Sequence, residues 1–359
     1  VKANDWLILT ASLLTTLGVL PGNAAETKHG TVVTEHIVSE KLRDTKTGLD
    51  PNRTVKIYLP PGYGESGKSY PVIYYFHSLN WTAEKMFTDG NLVKLIERGL
   101  AKGVVNEFIL VAADYSSPTL GSWFENSTTT GHWLDFTVEE LVPFIDGHFR
   151  TLRNRDSRGL AGDFVGGYGA LKFAMLYPDL FSVVYAMHPV GTGTGVVPAH
   201  TRPDWRKIHQ AGRFQDLEES GYARPFVALA QAYLPNPDRP PFYCDFIVEM
   251  ENGEPTVNME NTKKWQSRFL LDQMLAANGG NLRRMRGIAF DWARYDPNPD
   301  HVYSNQAFTR KLDELGIEHE AEEYRGDPWS KNWTDDGRFY TRLLPFFARH
   351  LVFADNRSD

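Results

Sequence analysis

The segment Gly159-Leu160-Ala161-Gly162-Asp163-Phe164-Val165-Gly166-Gly167-Tyr168-Gly169-Ala170-Leu171 constrains the fold more than any other part of the chain. A short apolar run enters a glycine-rich turn and leaves as a helical pattern, so strand and helix must meet across a very tight bend. Only small residues allow the two backbones to come that close, and Gly162 and Gly166 sit two positions either side of Phe164. A strand-turn-helix of this kind is half of a βα unit, and βα units build parallel sheets.

The rest of the sheet is legible as β-branched and aromatic runs. Strands are expected at Val32–Val38, Val55–Leu59, Val72–Phe76, Phe108–Ala112, Gly159–Ala161, Val183–Ala186, Ile288–Phe290 and His319–Tyr324. Apolar residues recur at helical spacing in Leu134–Phe149, Gly169–Leu176, Val302–Leu315 and Thr334–Leu351. This predicts an α/β fold with a mostly parallel central sheet flanked by helices. Residues 197–281, broken by Pro235–Pro241, are expected as a helical cap insertion over the carboxyl ends of the strands, where such folds place pockets. With 42% hydrophobic residues, residues 26–359 are read as one large domain.

Thirty-eight Lys plus Arg against 45 Asp plus Glu give a net charge of −7, which argues against a nucleic-acid partner. Lys2, the apolar stretch Trp6–Leu20 and the small residues up to Ala25 have the order of a secretory signal peptide over residues 1–25, so a secreted or periplasmic protein is expected. No other stretch approaches the ~20 apolar residues of a membrane span, so no stable membrane anchor is expected. Cys244 is the single cysteine, which removes intrachain disulfides and cysteine-based zinc sites. No cofactor and no metal is expected, the partner is expected to be a small molecule or saccharide, and the sequence sets no oligomeric state. Gly191-Thr192-Gly193-Thr194-Gly195 lacks the lysine of a phosphate loop and reads as a flexible loop.

The glycine-rich bend resembles the Gly-x-Ser-x-Gly-Gly-Tyr-Gly-Ala-Leu elbow of the Putative esterase family of α/β-hydrolase-fold proteins, which includes feruloyl and acetylxylan esterases, formylglutathione hydrolases and mycolyltransferases. Tyr58-Leu59-Pro60-Pro61-Gly62-Tyr63, Tyr70 through His77, and Trp123 through Trp133 to Arg150-Thr151 match the family in the same order, so the resemblance covers most of Val32 to Val352. It implies an α/β-hydrolase fold and a serine-histidine-acid triad. Carried over residue by residue, that triad is incomplete here. Phe164 stands where the serine belongs, and a phenyl ring has neither a lone pair to attack with nor a proton to lose. Asp296 falls at the acid position, whereas the segment that should hold the histidine has Asp327-Pro328. The oxyanion loop, His-Gly in the family, reads His77-Ser78-Leu79.

Other groups are candidates for the missing chemistry. Asp163 adjoins the apex, although a side chain at that position tends to point away from the cavity. His188 follows the strand after the elbow helix and is the best replacement base, and His301 lies close enough to Asp296 to form an oriented pair. Trp123, Trp133 and Trp329, with Val165 and Ser78, are candidates for contact with a ligand. Three readings stay open: a binding protein for a saccharide, aromatic or acyl ester without serine hydrolysis; a hydrolase or lyase rebuilt around His188, His301 and carboxylates; and a conventional esterase using another serine, such as Ser127 or Ser78.

Overall fold

The computed structural model describes residues 29–353 apart from Asn80 and Gly90; the expected signal peptide lies outside these residues. The main sheet has eight strands: β1 (Thr31–Val38), β2 (Asn52–Leu59), β3 (Val72–Phe76), β4 (Ile109–Ala113), β5 (Arg158–Asp163), β6 (Val183–Met187), β7 (Gly287–Ala293) and β8 (Glu320–Tyr324). Their order is β1-β2-β4-β3-β5-β6-β7-β8. The pairings of β1 with β2 and β2 with β4 are antiparallel, and all the others are parallel. Each expected strand forms.

Alternation along the central strands assigns side chains to two cores, one on each face. In β3, Val72, Tyr74 and Phe76 belong to one and Ile73 and Tyr75 to the other, which is why a strand buried on both faces is apolar throughout. Five helices matter for the site: α1 (Val165–Leu176), α2 (Ala223–Tyr233), α3 (Met259–Phe269), α4 (Leu271–Leu282) and α5 (Pro299–Glu314). α1 leaves β5 at the elbow, α2 to α4 lie in the insertion between β6 and β7, and α5 follows β7. The insertion also holds an antiparallel hairpin, Val248–Glu251 paired with Glu254–Val257.

The chain departs from the sequence-based reading near its end. Instead of a helix from Thr334, residues before Phe339 form turns, in which Arg338 N–H donates to Lys331 O and Gly337 packs so tightly that a Cβ there would lie 2.7 Å from Asn332 O. Among the described residues, no helix is long and apolar enough to cross a membrane.

Candidate functional site

The elbow is built at the carboxyl end of β5. Phe164 has φ 54° and ψ −112°, a backbone conformation that L-residues rarely adopt and that costs on the order of 1–3 kcal/mol. The flanking glycines explain how it is enforced. A Cβ on Gly166 would sit 1.9 Å from Phe76 O, and one on Gly162 would sit 2.4 Å from the Gly166 carbonyl, so α1 is drawn onto the sheet until only hydrogen atoms fit between them. Phe164 N–H donates to Met187 O at 2.9 Å, pinning the turn to β6.

The sharp turn projects the Phe164 ring into a cavity of about 600 Å³. The ring lies parallel to the His188 ring at 6.1 Å, meets His301 edge-on at 5.2 Å and contacts Trp329 at 4.8 Å. Asp296, Pro328, Trp329 and Trp123 line the same cavity, as do the segment from Gly193 to Val197 and residues of α2 and α3. The glycine loop read as flexible is held in place: Asp300 accepts the N–H groups of Val196 and Val197, and Asp272 N–H donates to Thr192 O.

Asp296 is the hub of the polar side of this cavity. Its Oδ2 accepts from His188 Nε2 at 2.6 Å and from His301 Nδ1 at 2.8 Å, and its Oδ1 accepts from Asn298 N–H at 2.7 Å. Burial opposes its charge, but the two imidazole donors and the backbone N–H prevail and hold the carboxyl well below its usual range. The histidine tautomers follow from their other partners. Ala293 N–H donates to His188 Nδ1 at 2.8 Å, so that nitrogen is unprotonated and the ring proton is on Nε2, facing Asp296. His301 Nε2 lies 2.9 Å from the Asn298 amide nitrogen, which donates to it and leaves the proton on Nδ1.

These bonds correct the expectation for His188. Both its nitrogens are engaged and its ring is 1% exposed, so it offers no lone pair to a substrate or water. The same bonds weigh against a metal. Ligand atoms of His188, Asp296 and His301 lie within 4.8 Å of one another, but coordination through His188 Nε2 would move its proton to Nδ1, against the Ala293 N–H. Asp163 points away from the cavity into the opposite core, where Tyr75 O–H donates to it at 2.8 Å. Trp133 is wholly buried and donates to Thr130 O, so it is a core residue and not a ligand contact.

Ser127 donates to Gln231 O and accepts from Thr129 and Thr130 N–H, the work of a turn residue. Among the described residues no serine or threonine hydroxyl is hydrogen-bonded to a histidine ring, so neither Ser127 nor Ser78 has an activating base. Ser78 and Val165 line a second, smaller cavity of about 250 Å³ beside the first. Two residues near the site went unnoticed in the sequence: Arg224, on the wall of the smaller cavity, and Lys172, buried on α1 outside both cavities, where it pairs with Glu125.

Burial raises the Asp163 carboxyl to about 6, against about 3.9 in an unfolded chain. The fold therefore favours the neutral acid, and its stabilising contribution is fully present below about pH 4 and lost as pH rises through about 6, where the buried carboxyl ionises. Asp163→Asn is expected to stabilise the protein by about 2 kcal/mol at pH 7.5 and by almost nothing at pH 4. Urea unfolding at the two pH values measures this, and equal effects at both would refute it.

The Putative esterase family model matches residues 47–220. An esterase of Mycobacterium tuberculosis is 32% identical over 275 residues, covering 73% of this chain but 55% of that protein, so the chain spans little more than half the length of this curated relative. An endo-1,4-beta-xylanase/feruloyl esterase of Xylanibacter ruminicola is 28% identical over 138 residues, 36% of this chain and 18% of that one. Among solved structures, a ferulic acid esterase superposes with a TM-score of 0.63 at 18% identity, covering 90% of this chain and 100% of the other. An S-formylglutathione hydrolase from Agrobacterium tumefaciens gives 0.58 at 16% identity, covering 90% and 97%.

Proposed function

We propose that this chain, which belongs to the Putative esterase family of α/β-hydrolase-fold proteins, binds an apolar acyl or aromatic compound without hydrolysing it. The observation that carries this reading is Phe164 at the apex of an otherwise intact elbow, its ring packed on His188, His301 and Trp329. The nucleophile is replaced by a binding surface. The histidines that could activate water instead are each bonded at both nitrogens, and the Asp296 carboxylate already accepts three N–H groups. Aromatic and aliphatic side chains such as Trp123, Phe226, Leu229 and Trp265 dominate the cavity wall, which favours an apolar ligand over a saccharide. Export to a periplasm or medium is part of the proposal, supported by the residue pattern of positions 2–25.

The test is hydrolysis of short-chain acyl, acetyl-sugar and feruloyl esters. Wild type is expected to match the buffer rate, and His188→Ala and His301→Ala to change nothing. Turnover by wild type that His301→Ala abolishes would overturn the proposal in favour of a rebuilt hydrolase, the reading that the esterase relatives support.

A further inference from the structure

Helix α3 meets the larger cavity through Thr262, Trp265, Gln266 and Phe269. Spaced three and four residues apart, they share one face of the helix, while Lys263, Lys264 and Ser267 on the other side are exposed. Gln266 is the exception on a wall otherwise rich in aromatic and aliphatic groups. It is half-buried, and among the described residues no group hydrogen-bonds its side-chain amide. The other half-buried or buried polar side chains of the cavity are committed to the protein. Thr262 donates to Asn258 O, Ser304 accepts from Thr192 and donates to His301 O, and Asn298 serves Asp300 N–H and His301. Thr194 and His200 are exposed and open to solvent. The charges are committed as well: Arg202, the one Lys or Arg on the wall, pairs with Asp300, and Asp296 is held by its two histidines.

This leaves one uncommitted, uncharged hydrogen-bonding group inside an apolar cavity. Solvent satisfies such an amide until a ligand displaces it; a purely apolar ligand would then strand the amide, and an ionised one would be buried without a counter-ion. We infer that Gln266 determines the specificity of the larger cavity, which takes a neutral molecule whose apolar body carries one uncharged hydrogen-bonding group, such as a carbonyl, that meets the Gln266 amide. The inference rests on the apolar-binding reading above and narrows it by excluding ionised acids.

Binding titrations at pH 7.5, followed by quenching of tryptophan fluorescence, test it with three probes of one shape: 2-acetonaphthone, with a neutral carbonyl; 2-naphthoate, ionised; and 2-ethylnaphthalene, without a polar group. Wild type is expected to bind the ketone at least about tenfold more tightly than the carboxylate. Gln266→Met, similar in size, should weaken the ketone about fivefold and leave 2-ethylnaphthalene unchanged, which also controls for folding of the variant. Gln266→Lys supplies the missing cation and should make 2-naphthoate the preferred probe. The assignment to Gln266 is overturned by wild type binding carboxylate and ketone equally, by a ketone affinity that survives Gln266→Met, by equal weakening of ketone and hydrocarbon, or by no gain of 2-naphthoate binding in Gln266→Lys. Each of those results leaves the apolar binding site standing, whereas failure of all three probes to bind wild type overturns that reading too.

Discussion

Phe164→Ser combined with Pro328→His is expected to hydrolyse a short-chain aryl ester at least about 100-fold faster than wild type. The backbone already has the conformation the reaction requires, the acid Asp296 is in place, and position 328 lines the cavity that Phe164 and Asp296 share. Removing triad members from a working serine hydrolase costs on the order of 10⁴–10⁶ in kcat, so recovering 10² requires only a loosely aligned new triad. Phe164→Ser alone should stay within about tenfold of wild type, because His301 Nε2 accepts from Asn298 and must break that bond to take a proton. Steady-state kinetics of the three proteins decide the matter. If the single variant is as active as the double one, His301 is the latent base and the bond to Asn298 is no obstacle.

Glu125→Ala is expected to destabilise the fold by about 3–5 kcal/mol, the cost of leaving a buried charge without its partner. Lys172 lies on α1 two turns beyond the elbow, its side chain 1% exposed, and pairs with Glu125, which is 10% exposed. Burial lowers the ammonium's pKa, and the Glu125 carboxylate is the chief group acting to keep it charged. Glu125 also accepts from Arg268 of α3 at 3.2 Å, and Tyr233 of α2 donates to Trp123 O, so the cluster fastens the insertion to the elbow helix. Replacing the pair together, Glu125→Leu with Lys172→Met, should recover most of the loss, since an apolar pair of similar volume has no charge to strand. Urea unfolding of the single and double variants gives the comparison. A double variant as unstable as the single one would mean that Arg268 is the partner that matters.

The sheet was legible because its signal is local: β-branched runs bounded by turns, and glycines at the one bend where backbones must touch. Asp296 was legible only through the resemblance, which places the family's acid just beyond the strand that became β7. The roles of the histidines were not. Whether His188 is a base depends on the N–H of Ala293, 105 residues away, and nothing at position 188 announces that bond. Trp133 and Trp329 look alike in sequence, yet one is fully buried and the other 50% exposed, because the first packs among Tyr115 and Phe136 while the second follows the turn after β8. Lys172 and Arg224 each occur in an ordinary helical pattern, and only the tertiary neighbours distinguish a buried pair from a cavity-lining cation.

Because Gly162 and Gly166 impose the backbone of the elbow from both sides, its shape does not depend on the side chain at position 164. Position 164 is thus an interchangeable socket. With Cys244 buried and no other cysteine in the chain, a thiol installed there would be alkylated selectively, carrying a fluorophore or spin label directly into the larger cavity.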